Sequence, residues 1–178
     1  MKAFSVSLFF GVALSVACGE IVKVTEMTDK GLHFMWYPKL PEVKGWHSDQ
    51  EATNHYKVNA MAPNGETFKH SPAVIYAKAC YKPKVDEKTL AAFITADKKA
   101  FRSQEPGIQI SELPSIETRS RLSMRCVEFV PKKNGNWERV AYFEEGDFYV
   151  VFTLSSRSKS SFDRSLPTYL QLLKGYRK

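Results

Sequence analysis

The chain has 178 residues, with 26 Lys and Arg against 19 Asp and Glu, a net charge of +7, and a composition 43% hydrophobic and 13% aromatic. That length holds one domain with a sizeable core and is short for two, and the composition is that of a globular chain and not of a disordered one. Its basic residues are scattered among acids, with only short clusters at 119–125 and 157–159, which describes a solvated basic face and excludes the concentrated, aromatic-interleaved stripe of a nucleic-acid surface.

In chain order, the first feature is an export signal. Lys2 supplies a positive start, residues 5–14 an apolar stretch too short to span a bilayer comfortably, and residues 15–19 a small-residue exit suited to a signal peptidase. Residues 1–19 are therefore expected to be a signal peptide and 20–178 a single domain, exported to the periplasm or secreted. Ser15, Ala17 and Gly19 permit cleavage after Ala17 or after Gly19. Cys18 offers a second route, lipidation and anchoring to the cell envelope, although Leu14 stands four residues before the cysteine where lipoprotein signals place their leucine three before. Membrane association is expected only through a lipid on Cys18; an uncleaved anchor is the third alternative.

The mature part alternates strand-like and helix-like segments. Short strands are expected at 21–24 and 32–37, ended by Pro38 and Pro41. An irregular stretch from Lys44 leads into renewed alternation over 55–61, and Pro63, Asn64 and Gly65 form a turn. A strand at 73–81 lies between Pro72 and Pro83. Asp86 is the expected cap of a helix with Leu90, Phe93, Ile94 and Phe101 on its apolar face, Asp97 as a polar interruption, and Pro106–Gly107 as its stop. Strands follow at 108–113, 121–130, 137–144 and 148–155, with turn residues at 133–136 and 145–147. A last helix, capped by Ser160 with Asp163 as its box partner, carries Phe162, Leu166, Tyr169, Leu170, Leu173 and Tyr176 as an apolar stripe at intervals of three and four. Pro167 gives an alternative start at Ser165. The pattern predicts an α+β fold, an antiparallel sheet covered by helices, with no repeat or linker dividing it.

Trp46, the strand at 72–77, the helix around Phe93, and the run 139–155 followed by 162–176 together resemble the Mog1/PsbP-like α/β/α sandwich over most of the mature chain. That family carries no universal catalytic motif and includes small-GTPase-binding, photosystem-associated and envelope members. The resemblance implies a binding or assembly role without identifying the partner.

With Cys18 removed or lipidated, Cys80 and Cys126 remain, each inside a strand-like run. In an oxidising compartment an isolated pair is expected to bridge where geometry allows, worth about 4 kcal/mol in the chain-entropy model. The alternative is two buried free thiols in neighbouring strands. No Cys-x-x-Cys is present to support redox chemistry.

Reactive constellations are weak throughout. His33, His47, His55 and His70 are the four histidines, and Asp49 and Glu51 stand near His47 without the spacing of a zinc motif. Glu144, Glu145 and Asp147 flank a glycine turn and read as its solvated polar residues. Serines 155–161 lack a Gly-x-Ser-x-Gly elbow, Lys159 has no assigned role as a base, and the glycines are too isolated for a phosphate loop. No catalytic, cofactor-binding or metal residue is assigned. Trp36, Tyr37, Trp46 and Tyr56 are the better functional material, since aromatic residues with a polar handle suit recognition surfaces, or they cover one open end of the sheet. The expected function is that of a non-catalytic exported envelope protein, a protein-binding or assembly factor whose partner is a protein or an envelope component. The alternatives are a secreted hydrolase, and an effector or immunity-like protein whose basic face binds an acidic partner.

Overall fold

The computed structural model of the chain describes residues 21–28 and 31–177, so the leader and Cys18 lie outside the described residues. Nine strands form one sheet in which every pairing is antiparallel: β1 (Ile21–Thr28), β2 (Gly31–Pro38), β3 (Trp46–Ser48), β4 (Asn59–Pro63), β5 (Ala73–Tyr81), β6 (Gln109–Glu117), β7 (Ser123–Val130), β8 (Trp137–Glu145) and β9 (Phe148–Ser156). Three α-helices accompany it: α1 (Gln50–Tyr56), α2 (Leu90–Gln104) and α3 (Lys159–Gly175).

The strand order is β1-β2-β5-β9-β8-β7-β6, with β3 paired to β4 off this path. One edge of β5 runs along the whole of β9. Its other edge is shared, with β4 alongside residues 75–77 and β2 reaching it where Trp36 faces Ala79. Strands β6 to β9 are successive hairpins. The β8–β9 turn has two central residues, of which Gly146 comes first at φ +53°, the backbone that a type II′ turn requires and that favours glycine.

Alternation sorts the side chains into two faces. Odd positions of β5 and even positions of β9 (Ile75, Ala77, Ala79, Val150, Phe152, Leu154) face α3, where they pack with Phe162, Tyr169, Leu172 and Tyr176. Full burial of each of these large side chains stabilises the fold by roughly 1.5–3 kcal/mol. Tyr169 is completely buried, and its Oη donates to the Phe152 carbonyl at 2.9 Å, which satisfies the phenol in the core. The opposite face carries Val127, Phe129, Val140, Tyr142 and Val151 beneath α2. There Phe93 stacks on Tyr149 at 4.9 Å and Phe101 on Phe129 at 3.9 Å between ring centroids. Asp97, the polar interruption of the helical stripe, accepts a 2.6 Å hydrogen bond from Tyr142 Oη.

Several boundaries differ from expectation for local reasons. The cap of α2 is Thr89, whose side chain accepts from the Ala92 amide, and not Asp86. The cap of α3 is Ser158, accepting from the Ser161 amide; Asp163 instead pairs with Lys159 one turn away. Helix α3 runs through Pro167 without restarting. Residues 50–56 form α1 where an irregular segment passing into alternation was expected.

The Cys80–Cys126 bridge is not present: both cysteines are free thiols. Cys80 lies in β5 and Cys126 in β7, with β9 and β8 between them, three strand spacings or about 14 Å. A disulfide requires Cα atoms within about 7 Å. Cys80 is also opposite Tyr149 on the α2 face, whereas Cys126 is opposite Ala141 and belongs to the α3-side core. The two side chains therefore point to opposite sides of the sheet. Burial pushes both thiols above the ordinary cysteine range.

Candidate functional site

Helix α2 crosses its face of the sheet diagonally, from Tyr149 at the start of β9 to Phe129 near the end of β7. It leaves one corner uncovered. The strand register sets Val74, Ser155, Glu138 and Phe129 in one row across β5, β9, β8 and β7, and Tyr76, Thr153, Val140 and Val127 in the next. Phe129 lies under Phe101 of α2; Val74, Tyr76, Glu138 and Ser155 instead line a groove of about 370 Å³.

The groove's outer wall comes from α1 and the loop after β4. Tyr56, at the end of α1, lies 5.3 Å from Phe68, which lies 6.1 Å from Tyr76, so three rings run in sequence along it. Asp49 holds this wall together. One carboxylate oxygen caps α1 by accepting from the Ala52 amide at 2.9 Å, and the other accepts from the Phe68 amide at 2.8 Å. These backbone hydrogen bonds keep the Asp49 carboxyl below the usual range. At the rim Arg157 donates from its guanidinium to the Lys69 carbonyl at 2.7 Å and from its amide to the Pro72 carbonyl at 2.9 Å.

Glu138 is the unusual element of the floor. It is 7% exposed, and Ser155 Oγ donates to its Oε1 at 2.8 Å while Asn136 Nδ2 donates to that hydroxyl at 3.1 Å. Its Oε2 is buried, and among the described residues no donor reaches it. The adjacent Arg139 offers no compensation, because alternation turns it to the other face, where it pairs with Glu128. Burial, reinforced by the charge of Asp97 and partly offset by the Ser155 hydrogen bond, pushes the Glu138 carboxyl up to about 7. Burial first, and Glu138 next, likewise hold the Tyr76 phenol well above its ordinary range.

The residues singled out in the sequence are distributed differently. A second groove, about 330 Å³, adjoins the first and brings together Asp49, Glu51, His55 and His70 but not His47, which is exposed on β3. The Asp49 carboxylate there is committed to backbone amides. Among the described residues no group of three His, Cys, Asp or Glu is placed to hold a metal ion. Glu144 and Glu145 separate onto opposite faces: Glu144 pairs with Lys82 at 2.6 Å, while buried Glu145 accepts from Tyr176 Oη at 2.6 Å. Trp36 packs against Tyr81 and Phe148, Tyr37 is buried, and Trp46 lies against the α3-side core, so of the four aromatics Tyr56 is the one at the groove. Glu138 carried a readable signal: it shares parity with Val140 and Tyr142 and so falls on an apolar face.

No family model matches the chain, and no curated protein matches it. Solved structures do show a likeness. A protein of unknown function from Pseudomonas aeruginosa, 8% identical, aligns over 88% of this chain and 96% of its own with a TM-score of 0.49. The Ran-binding protein Mog1p of Saccharomyces cerevisiae, 12% identical, aligns over 86% and 93% with a TM-score of 0.46. Cyanobacterial PsbP from Synechocystis, 11% identical, aligns over 92% and 95% with a TM-score of 0.45. These are distant structural resemblances, to the Mog1/PsbP-like α/β/α sandwich among them; the mixed fold with an antiparallel sheet flanked by helices is seen in this chain's own elements. At these identities the likeness is one of fold alone.

Proposed function

We propose that this protein is a non-catalytic binding or assembly factor that holds a segment of a protein partner in the open corner of its sheet. The observation that carries the reading is the groove itself: aromatic side chains along one wall and a buried carboxyl on its floor give a concave site that joins apolar surface to converging polar groups, the form recognition sites take. Ser155 donates to Glu138 and accepts from Asn136, an arrangement that orders the floor, and no histidine is among the described residues lining the groove. The leader pattern supports action outside the cytoplasm, either free or tethered through a lipid on Cys18.

A photo-crosslinking residue at Tyr56, compared with one at exposed Gln171 of α3 across the sheet, tests the reading. Crosslinking to one defined envelope protein from position 56, abolished by filling the groove with Ser155→Trp, is the expected result. Crosslinks of equal yield from both positions, or insensitive to the blocking change, would overturn it. Mass measurement of the mature N-terminus decides between cleavage after Ala17 or Gly19 and a lipidated Cys18.

A further inference from the structure

We propose that the groove is a lysine-recognition site, in which Glu138 Oε2 receives the ammonium group of a partner lysine whose alkyl stem lies along Tyr56, Phe68 and Tyr76. This rests on the protein-binding reading above and gives it a chemistry. A carboxylate oxygen that is nine-tenths buried, lines a groove and has no donor calls for one from a ligand. Among the described residues Glu138 belongs to no ion pair, and its sequence neighbour Arg139 pairs with Glu128 on the other face. An organic cation would supply both the missing charge and the missing hydrogen bond.

One observation selects lysine over arginine, and a second accommodates its stem. Guanidinium groups recognise carboxylates best by engaging both oxygens, but Oε1 is already occupied by Ser155 Oγ, leaving a single oxygen that suits a compact ammonium. The row of three rings then offers π faces to the cation and apolar surface to its methylene chain. The rim is basic, with Lys69 and Arg157, so the preferred lysine is flanked by acidic residues that meet those charges at the mouth.

Binding should also depend on pH in a definite sense. The groups facing Glu138 are Asp97 from α2, Tyr76 from β5, Ser155 from β9, and Lys69 and Arg157 at the rim. An ammonium binds the ionised carboxyl, and Glu138 titrates near 7, so affinity rises by about tenfold per pH unit up to that value and levels off above it.

The test uses the full mature chain and the blocked peptide acetyl-Asp-Lys-Asp-amide, with its acetyl-lysine and arginine counterparts and n-butylammonium as controls, followed by amide NMR and calorimetry. Expected are perturbations at Tyr76, Glu138 and Ser155, a loss of about tenfold or more on lysine acetylation, a similar loss in E138Q, and a several-fold loss in the rim variant Tyr56→Ala. Weaker binding of n-butylammonium at the same residues would fit a peptide lysine; equal binding would transfer the site to free amines and overturn the partner-lysine assignment. Undiminished peptide binding in E138Q, or indifference to acetylation, would overturn it even if the groove still crosslinks a partner. Binding that depends on Glu138 in a protein that crosslinks nothing from position 56 would leave the ammonium site standing and overturn the protein-binding reading.

Discussion

Strand β8 buries two glutamates at its opposite ends and on opposite faces, and their surroundings differ. Glu145 lies under α3, where Tyr176 Oη reaches its Oε2 at 2.6 Å. Glu138 lies beyond the reach of α2, with Ser155 on one oxygen and nothing described on the other. On the covered face the chain itself supplies the carboxyl's donor, though Arg139 Nε on that face has no partner among the described residues, whereas the other face keeps an unmet carboxyl beside open space. A buried charge without a partner costs stability, so its retention next to a groove marks the face where binding, and not folding, would satisfy it.

The largest effect that sharpens this contrast is expected on the covered face. Phe152 is fully buried between Phe143 and Tyr176, and Phe152→Ala should cost about 3–5 kcal/mol in urea unfolding. A loss of only about 1 kcal/mol would show that the α3 face is packed no better than the open one.

Next comes Glu138→Gln. The carboxyl titrates at about 7 when folded and at about 4.3 when unfolded, so between those values the folded chain binds more protons than the unfolded one. Wild-type stability therefore falls as pH rises from about 4 to 7 and is constant above. The amide variant does not titrate, and should be about 4 kcal/mol more stable than wild type at pH 8 and equal to it near pH 4. Parallel unfolding curves for the two proteins at every pH would mean that Glu138 carries no such burden.

Tyr176→Phe should make the covered glutamate resemble the open one, at a cost of about 1–3 kcal/mol for the orphaned carboxyl. If it costs nothing, the tyrosine hydroxyl is not what distinguishes the two ends of β8. The smallest effect concerns the thiols: reducing agent should leave the melting temperature unchanged, and peptide mapping without reduction should recover Cys80 and Cys126 on separate alkylated peptides.

Much of the architecture could be read from local chemistry. The run at 73–81 between prolines, the hairpins at 137–156, and the stripe from Phe162 to Tyr176 each carry their own periodicity and turn residues, and each appears close to its expected bounds. Helix α1 did not announce itself, because seven residues with only Ala52 and Thr53 buried make no amphipathic stripe. Asp49 read as a stray carboxylate near a histidine, when its work is to cap that helix and tether Phe68. The cysteine pairing failed for a reason outside local pattern: β9, late in the chain, inserts beside β5 and separates it from β7. The groove was hidden for the same reason, since its floor joins strands remote in sequence and its opening depends on the angle of α2. Tyr56 was visible as recognition material; Glu138 was visible only through its parity with apolar neighbours.

The divided edge of β5 sets the kinetics of one region apart. Strands β1 and β2 pair with each other along their full length, but the hairpin's backbone joins the sheet only where Trp36 faces Ala79; the rest of its attachment is side-chain contact, from Trp36 to Tyr81 and Phe148, from Lys84 to Phe34 and Trp36, from Asn59 to the Pro38 carbonyl, and from Lys57 to Glu26. It can swing away by losing one backbone pairing and these side-chain contacts, while β9, paired on both edges, opens only when the whole sheet does. In deuterated solvent the amides of 21–28 and 31–38 should therefore exchange by a local opening of their own, long before those of 148–156, and the molecule should lose its first hairpin as a unit well before it unfolds.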